Sequence, residues 1–147
     1  MIYFALLTII AGVALAIQTN MNAYLGQIVS SAFIATFVAL GMSTLFILVM
    51  ITVYVKELPS MELIKTVPLY LWISSGVLGA FALGTFYFVI PKIGLLNVIA
   101  FSLTGQLIIS LISDHYGWFN MPISTITFSK VAGVAIMIVG IFLINKA

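Results

Sequence analysis

The side chains of this chain that could do chemistry are few and mostly neutral. Gln18, Thr19, Asn20 and Asn22 fall within five positions, directly behind the almost unbroken apolar run from Ile2 to Ile17. In a helix Gln18 and Asn22 stand one turn apart on one face, while Asn20 points elsewhere. A second set, Ser102, Gln106, Ser110 and Ser113, is spaced by four, four and three residues, which again is one helical face. Apart from Asn97 and Thr104, the rest of that segment is apolar. Amides in lipid are costly, so they turn toward other helices or a watery cavity. Two readings stay open for both sets: glue between helices, or hydrogen-bonding groups that meet a solute. For the serines the first reading is strong, because serine in such helices often bonds its own carbonyl one turn back.

The ionisable candidates reduce to Asp114 and His115, adjacent in sequence. Histidine changes protonation near neutral pH, so the pair reads either as an interfacial cap that organises a loop or as a proton-linked group at a cavity mouth. No carboxylate lies deep in an apolar stretch, which argues against the simplest proton-antiport scheme. With no cysteine and a single histidine, the sequence implies no metal site and no cofactor. It holds no glycine-rich phosphate loop, no basic cluster that would mark a nucleic-acid partner, and no catalytic nucleophile beside the acid–base pair, so an enzyme is not expected.

The elements that must position these residues follow from composition. At 64% hydrophobic and 5% charged residues, most of the chain cannot be the surface of a water-soluble domain. Long continuous apolar stretches, rather than alternating ten-residue segments, predict an all-α polytopic membrane protein and not a barrel. Breaks in charge, proline and polarity mark five transmembrane helices near 2–25, 32–55, 69–90, 93–113 and 127–145, forming a single five-helix domain over 1–147 with its ends on opposite sides. MIYFALLTII carries no side-chain charge, so the first helix is expected to be retained rather than cleaved as a signal peptide. The sixteen residues Ile2 to Ile17 span only about 24 Å as a helix. The helix must therefore run on through the amide cluster to Leu25, with Gly26 as the expected stop.

KELPSMELIKTVP reads as an exposed loop, and DHYGWFNMPIST as a second connection with Gly117, Asn120 and Pro122 as turn formers. Tyr3, Tyr54, Tyr70, Trp72, Tyr116 and Trp118 sit near span ends, as interfacial aromatic belts predict, whereas Tyr24 and Tyr87 do not fit that belt.

Small residues supply the packing surfaces. Gly76, Ala80 and Gly84, and Ser75 with Gly79, are spaced for close helix approach. The same face could leave a hollow beside Gln18 and Gln106, rimmed by Trp72 and Tyr87 and with Phe81 for an apolar contact. The candidate binding set is then Gln18, Asn22, Trp72, Tyr87, Gln106 and Ser110. Gly133 and Gly140, seven apart with Ser129 a turn earlier, make one seam for helix contact or dimerisation. Lys56, Lys65 and Lys130 fall on one side and Lys92 and Lys146 on the other, so the positive-inside bias is weak and the chain could insert both ways.

GVALAIQTNMNAYLG, WISSGVLGAF, PKIGLLNVIAFSLTGQLIISLISDHYGWF and KVAGVAIMIVG together resemble the YdcZ-like family of bacterial inner-membrane proteins, a five-helix branch of the drug/metabolite transporter (DMT/EamA-like) superfamily. The resemblance covers nearly the whole chain. Its most specific parts are the Q-x-x-x-N-x-x-L-G of the first helix and the G-Q-x-x-x-S-x-x-x-D-H of the fourth. It implies one half of an inverted-repeat bundle, completed by a second copy or a paralogue placed upside down around a central solute cavity, the general logic of secondary transport. The carried-over site positions are Gln18, Asn22 and Gln106, with Asp114 and His115 near a mouth. Likeness to small multidrug transporters implies dimer contact through Gly133 and Gly140. Those proteins carry a glutamate in the first helix where this chain has Gln18 and Asn22, so their proton-exchange chemistry does not transfer.

The resemblance thus implies a bacterial inner (plasma) membrane transporter or exporter of a small polar or amphipathic metabolite or drug. It would work by alternating access as an antiparallel homodimer or a heterodimer with a paralogue. The competing expectation is a non-transporting membrane subunit that packs with a partner transporter.

Overall fold

A computed structural model describes residues 2–120 and 122–146. Among the described residues the chain is helical and holds no strand. The order is α1 (Ile2–Ile28), α2 (Ala32–Tyr54), α3 (Met61–Thr66), α4 (Leu69–Ile93), α5 (Leu95–Tyr116), a 3-10 turn (Trp118–Asn120) and α6 (Phe128–Lys146). α1, α2, α4 and α5 are long and apolar enough to cross a membrane, and the apolar part of α6, Phe128–Leu143, is shorter. A helix covers each of the five expected stretches, with its ends within about one turn of those expected. The chain divides into two compact units between Lys92 and Ile93.

In the first unit, α1 does not stop at Gly26. It runs to Ile28 and closes with Ser30 in the left-handed region (φ 54°). The Ser30 N–H donates to the Gln27 carbonyl at 3.2 Å, and the Ser31 N–H to the Gly26 carbonyl at 2.9 Å. This pair of bonds is the Schellman closure, whose left-handed position glycine usually fills. Gly26 serves packing instead: it is buried, and a Cβ there would lie 3.5 Å from the Ala35 Cβ of α2. Ser31 then caps α2, its side chain accepting from the Ile34 N–H at 3.3 Å. The connection expected to be an open loop contains α3, capped by Ser60 through the Leu63 N–H and carrying Glu62 in its first turn and Lys65 in its last. Those charges match the helix dipole.

α4 is placed by a small cluster of Ala35, Ala39 and Tyr87, against which Leu25, Ala32, Leu83 and Phe86 pack. Lipid is as apolar as leucine, so close approach of small residues, rather than exclusion from water, holds such helices together. Of the glycines on α4, Gly84 makes that approach, with a Cβ position 3.4 Å from the Thr36 Oγ1, while Gly76 and Gly79 have nothing within 4 Å. α4 also runs past its expected end at residue 90, carrying Pro91 in its last turn before Gly94 (φ 85°) breaks the helix. In the second unit, α5 ends on left-handed Gly117 (φ 62°), as expected of a turn former, and α6 pairs with it after the connecting segment.

Most large apolar side chains of the long helices are exposed, as lipid-facing surfaces require. Tyr3, Tyr54, Tyr70, Trp72, Tyr116 and Trp118 are exposed near helix ends. Of the two tyrosines that did not fit the belt, Tyr24 is exposed and Tyr87, at 1% exposure, is the largest fully buried side chain among the described residues.

Candidate functional site

Gln18 and Asn22 project from α1 one turn apart and converge on a single atom. The Gln18 Nε2 and the Asn22 Nδ2 each donate to the Tyr87 hydroxyl of α4 at 3.4 Å. Both distances are at the long end for a hydrogen bond, so two weak bonds hold the buried ring. Thr19, between them in sequence, is buried and spends its hydroxyl on the Leu15 carbonyl at 2.6 Å, the self-satisfying bond of a packing residue. Asn20 faces outward.

Beside this triad lies a cleft of about 500 Å³ between α1 and α2. Gln18, Asn22 and Ser43 are its polar lining, and Ile17, Met21, Val38 and Met42 are the larger apolar side chains around them. The Ser43 hydroxyl donates to the Ala39 carbonyl at 2.8 Å, leaving its lone pairs as acceptors. No ionisable side chain lines the cleft. Its chemistry is neutral hydrogen bonding beside flexible thioethers, which adapt to irregular apolar shapes. Among the described residues, no group of His, Asp and Glu is placed to hold a metal.

The other predicted site residues have separate places. Trp72 stands fifteen positions before Tyr87 on α4, about 22 Å along the axis. It is exposed and absent from the cleft lining, so the two do not rim one hollow, and Phe81 is likewise exposed and absent from it. Gln106 and Ser110 lie on α5 in the second unit, both exposed, and Ser102 on the same helix bonds back to the Ile99 carbonyl at 3.0 Å. A Cβ at Gly133 or Gly140 would meet nothing within 4 Å, so these glycines make no close approach within the chain.

Asp114 and His115 organise the connection after α5. The Ser124 N–H donates to the Asp114 carbonyl at 2.8 Å, and the Ile126 N–H to the His115 Nδ1 at 3.4 Å. His115 also meets Tyr116 edge-on, with ring centroids 5.0 Å apart. The Lys130 Nζ reaches back to the Ser124 Oγ at 2.5 Å and to the Thr125 carbonyl at 2.8 Å. Of the pair, the His115 side chain bonds within the loop, while Asp114 takes part through its main-chain carbonyl.

Sequence reasoning missed the contribution of α2. Ala35, Ala39 and Ser43 recur every four residues, a small-residue stripe that packs at its first two positions and opens into the cleft at the third. That spacing was the available signal.

The apolar helices define a multi-pass membrane protein, with an uncharged cleft between α1 and α2. Residues 3–143 match the family described as "Putative inner membrane exporter, YdcZ", and the chain belongs to that family of the inner membrane. No curated protein and no solved structure matches it.

Proposed function

We propose that the protein exports a small polar or amphipathic metabolite or drug by alternating access, with the α1–α2 cleft as its half of the solute pathway. The observation that carries this reading is the convergence of Gln18 and Asn22 on Tyr87 beside an uncharged cleft of about 500 Å³, a volume in the range of small-molecule sites. Neutral amides and Ser43 meet hydrogen-bonding groups of the solute, while Met21, Met42 and Val38 meet its apolar part. No covalent step enters this scheme.

A cleft with one wall of helices needs cover. An antiparallel second copy, or a paralogue, supplies it and places the site at a repeat interface; Gln106 and Ser110 on α5, and Gly133 and Gly140 on α6, are the surfaces offered to that partner. Reporters active on opposite sides of the membrane, fused after Ala147, test the arrangement. Strong signals from both support a homodimer of opposite orientations, and a signal from one alone rules it out in that host and requires a partner of opposite orientation.

A further inference from the structure

The first unit holds a second cavity, of about 140 Å³, at the α1–α2 turn. Gln27, Ser30, Ser31, Phe88, Pro91 and Tyr87 are among the residues that line it. It lies at the end of the helices, where the chain turns, and Lys92 stands over the Phe88 ring with its Nζ 3.3 Å from the centroid. Polar turn residues and a lysine mark the aqueous boundary of a membrane protein. The cleft begins deeper. Gln18 is nine positions before Gln27 on α1, about 13 Å along the axis.

One side chain connects the two linings. The Tyr87 ring lines the outer cavity, and its hydroxyl is bonded to the two amides that line the cleft. Resting on the proposed export reading, we infer that Tyr87 is the gate between the solute cleft and an outer vestibule at the α1–α2 turn. Three features suit it to that work. Its ring is buried in the cluster with Ala35 and Ala39, against which Leu25, Leu83 and Phe86 pack, so its closed position is well defined. Its hydroxyl is latched by two bonds of 3.4 Å, weak enough to exchange for bonds to a solute that reaches the same amides. Its carbonyl lacks the ordinary helical partner four residues on, because that residue is Pro91, which has no N–H. The backbone of α4 thus lacks one helical bond where the gate is attached, and Gly94 ends the helix shortly beyond. A solute arriving in the cleft competes for Gln18 and Asn22, releases the hydroxyl, and frees the ring to swing from the path.

The chain has no cysteine, so single cysteines test the gate without a known solute. In sealed vesicles, Ser30→Cys labelled with a membrane-impermeant maleimide reports which vestibules face outward, and Ser43→Cys reports water access to the cleft from that face. With Tyr87 in place, Ser43→Cys is labelled slowly relative to Ser30→Cys. Tyr87→Phe removes the latch and keeps the ring; loss of the two bonds, about 1.2 kcal/mol together, speeds the relative labelling about eightfold. Tyr87→Ala, which removes the ring as well, speeds it further. A Tyr87→Phe protein that keeps its helical content and elution volume but labels at the wild-type rate overturns the gate, whether or not Tyr87→Ala folds. That result leaves the export reading standing, since export is judged separately by loss of transport in Gln18→Ala.

Discussion

Removing the Tyr87 hydroxyl isolates the interaction at the centre of the cleft. In Tyr87→Phe the ring still fills its place beside Ala35 and Ala39, so no cavity forms and the cost reduces to the two bonds from Gln18 and Asn22. Side-chain hydrogen bonds in membrane proteins average about 0.6 kcal/mol, and at 3.4 Å neither bond should exceed that. The expected loss is therefore about 1.2 kcal/mol for Tyr87→Phe. Gln18→Ala and Asn22→Ala should each couple to it by about 0.6 kcal/mol in a double-mutant cycle. In the Gln18→Ala/Asn22→Ala background the hydroxyl has neither donor, so adding Tyr87→Phe should cost close to nothing. The assay is reversible unfolding in mixed micelles, followed by circular dichroism. A Tyr87→Phe cost unchanged between the wild-type and double-alanine backgrounds would refute the shared-hydroxyl geometry.

Three further outcomes follow from the packing. Ser30→Gly should stabilise the protein by roughly 0.5–1 kcal/mol in the same assay, because glycine adopts the left-handed closure of α1 without the strain a Cβ adds, less a small gain in unfolded-chain entropy. Gly84→Leu should separate α4 from α2 at Thr36 and destabilise by about 1–3 kcal/mol, whereas Gly76→Leu, with open space around it, should leave stability within about 0.5 kcal/mol of wild type. His115→Ala removes the acceptor for the Ile126 N–H; hydrogen exchange at Ile126 should quicken, while exchange in α1 and α2 stays unchanged.

The helices were legible in the sequence because apolar length is a direct consequence of bilayer thickness, and a helix stands at each expected stretch. The ends were less legible, since they depend on backbone details that composition does not encode. Gly26 looked like a stop, but it lies where α2 approaches α1, and the left-handed position went to Ser30. The third span was expected to end near residue 90, but a proline in the last turn costs a single backbone bond and α4 continues through Pro91 to Ile93.

At the site, Gln18 and Asn22 were readable from their polarity in an apolar run. Their partnership with Tyr87 was not, because it joins positions 69 and 65 residues apart. Tyr87 was named for the rim of a hollow beside Gln18 and for its misfit with the aromatic belt, and burial with a bonded hydroxyl explains that misfit. Trp72 shared its helix and its aromatic character, but helical rise puts it far from the cleft. Ser43 was passed over because one hydroxyl in α2 is unremarkable until Ala35 and Ala39 are seen to share its face.

The most direct test of the central claim is what leaves the cell. Cells expressing the wild-type protein, the Gln18→Ala/Asn22→Ala variant at equal membrane abundance, or neither, would be compared by mass spectrometry of the small molecules in their medium. Export through the α1–α2 cleft predicts at least one neutral, hydrogen-bonding compound enriched with the wild type and returned to the background level by the variant. A compound enriched equally by both proteins would contradict the account, since solute would then be leaving by a route that makes no use of Gln18 and Asn22.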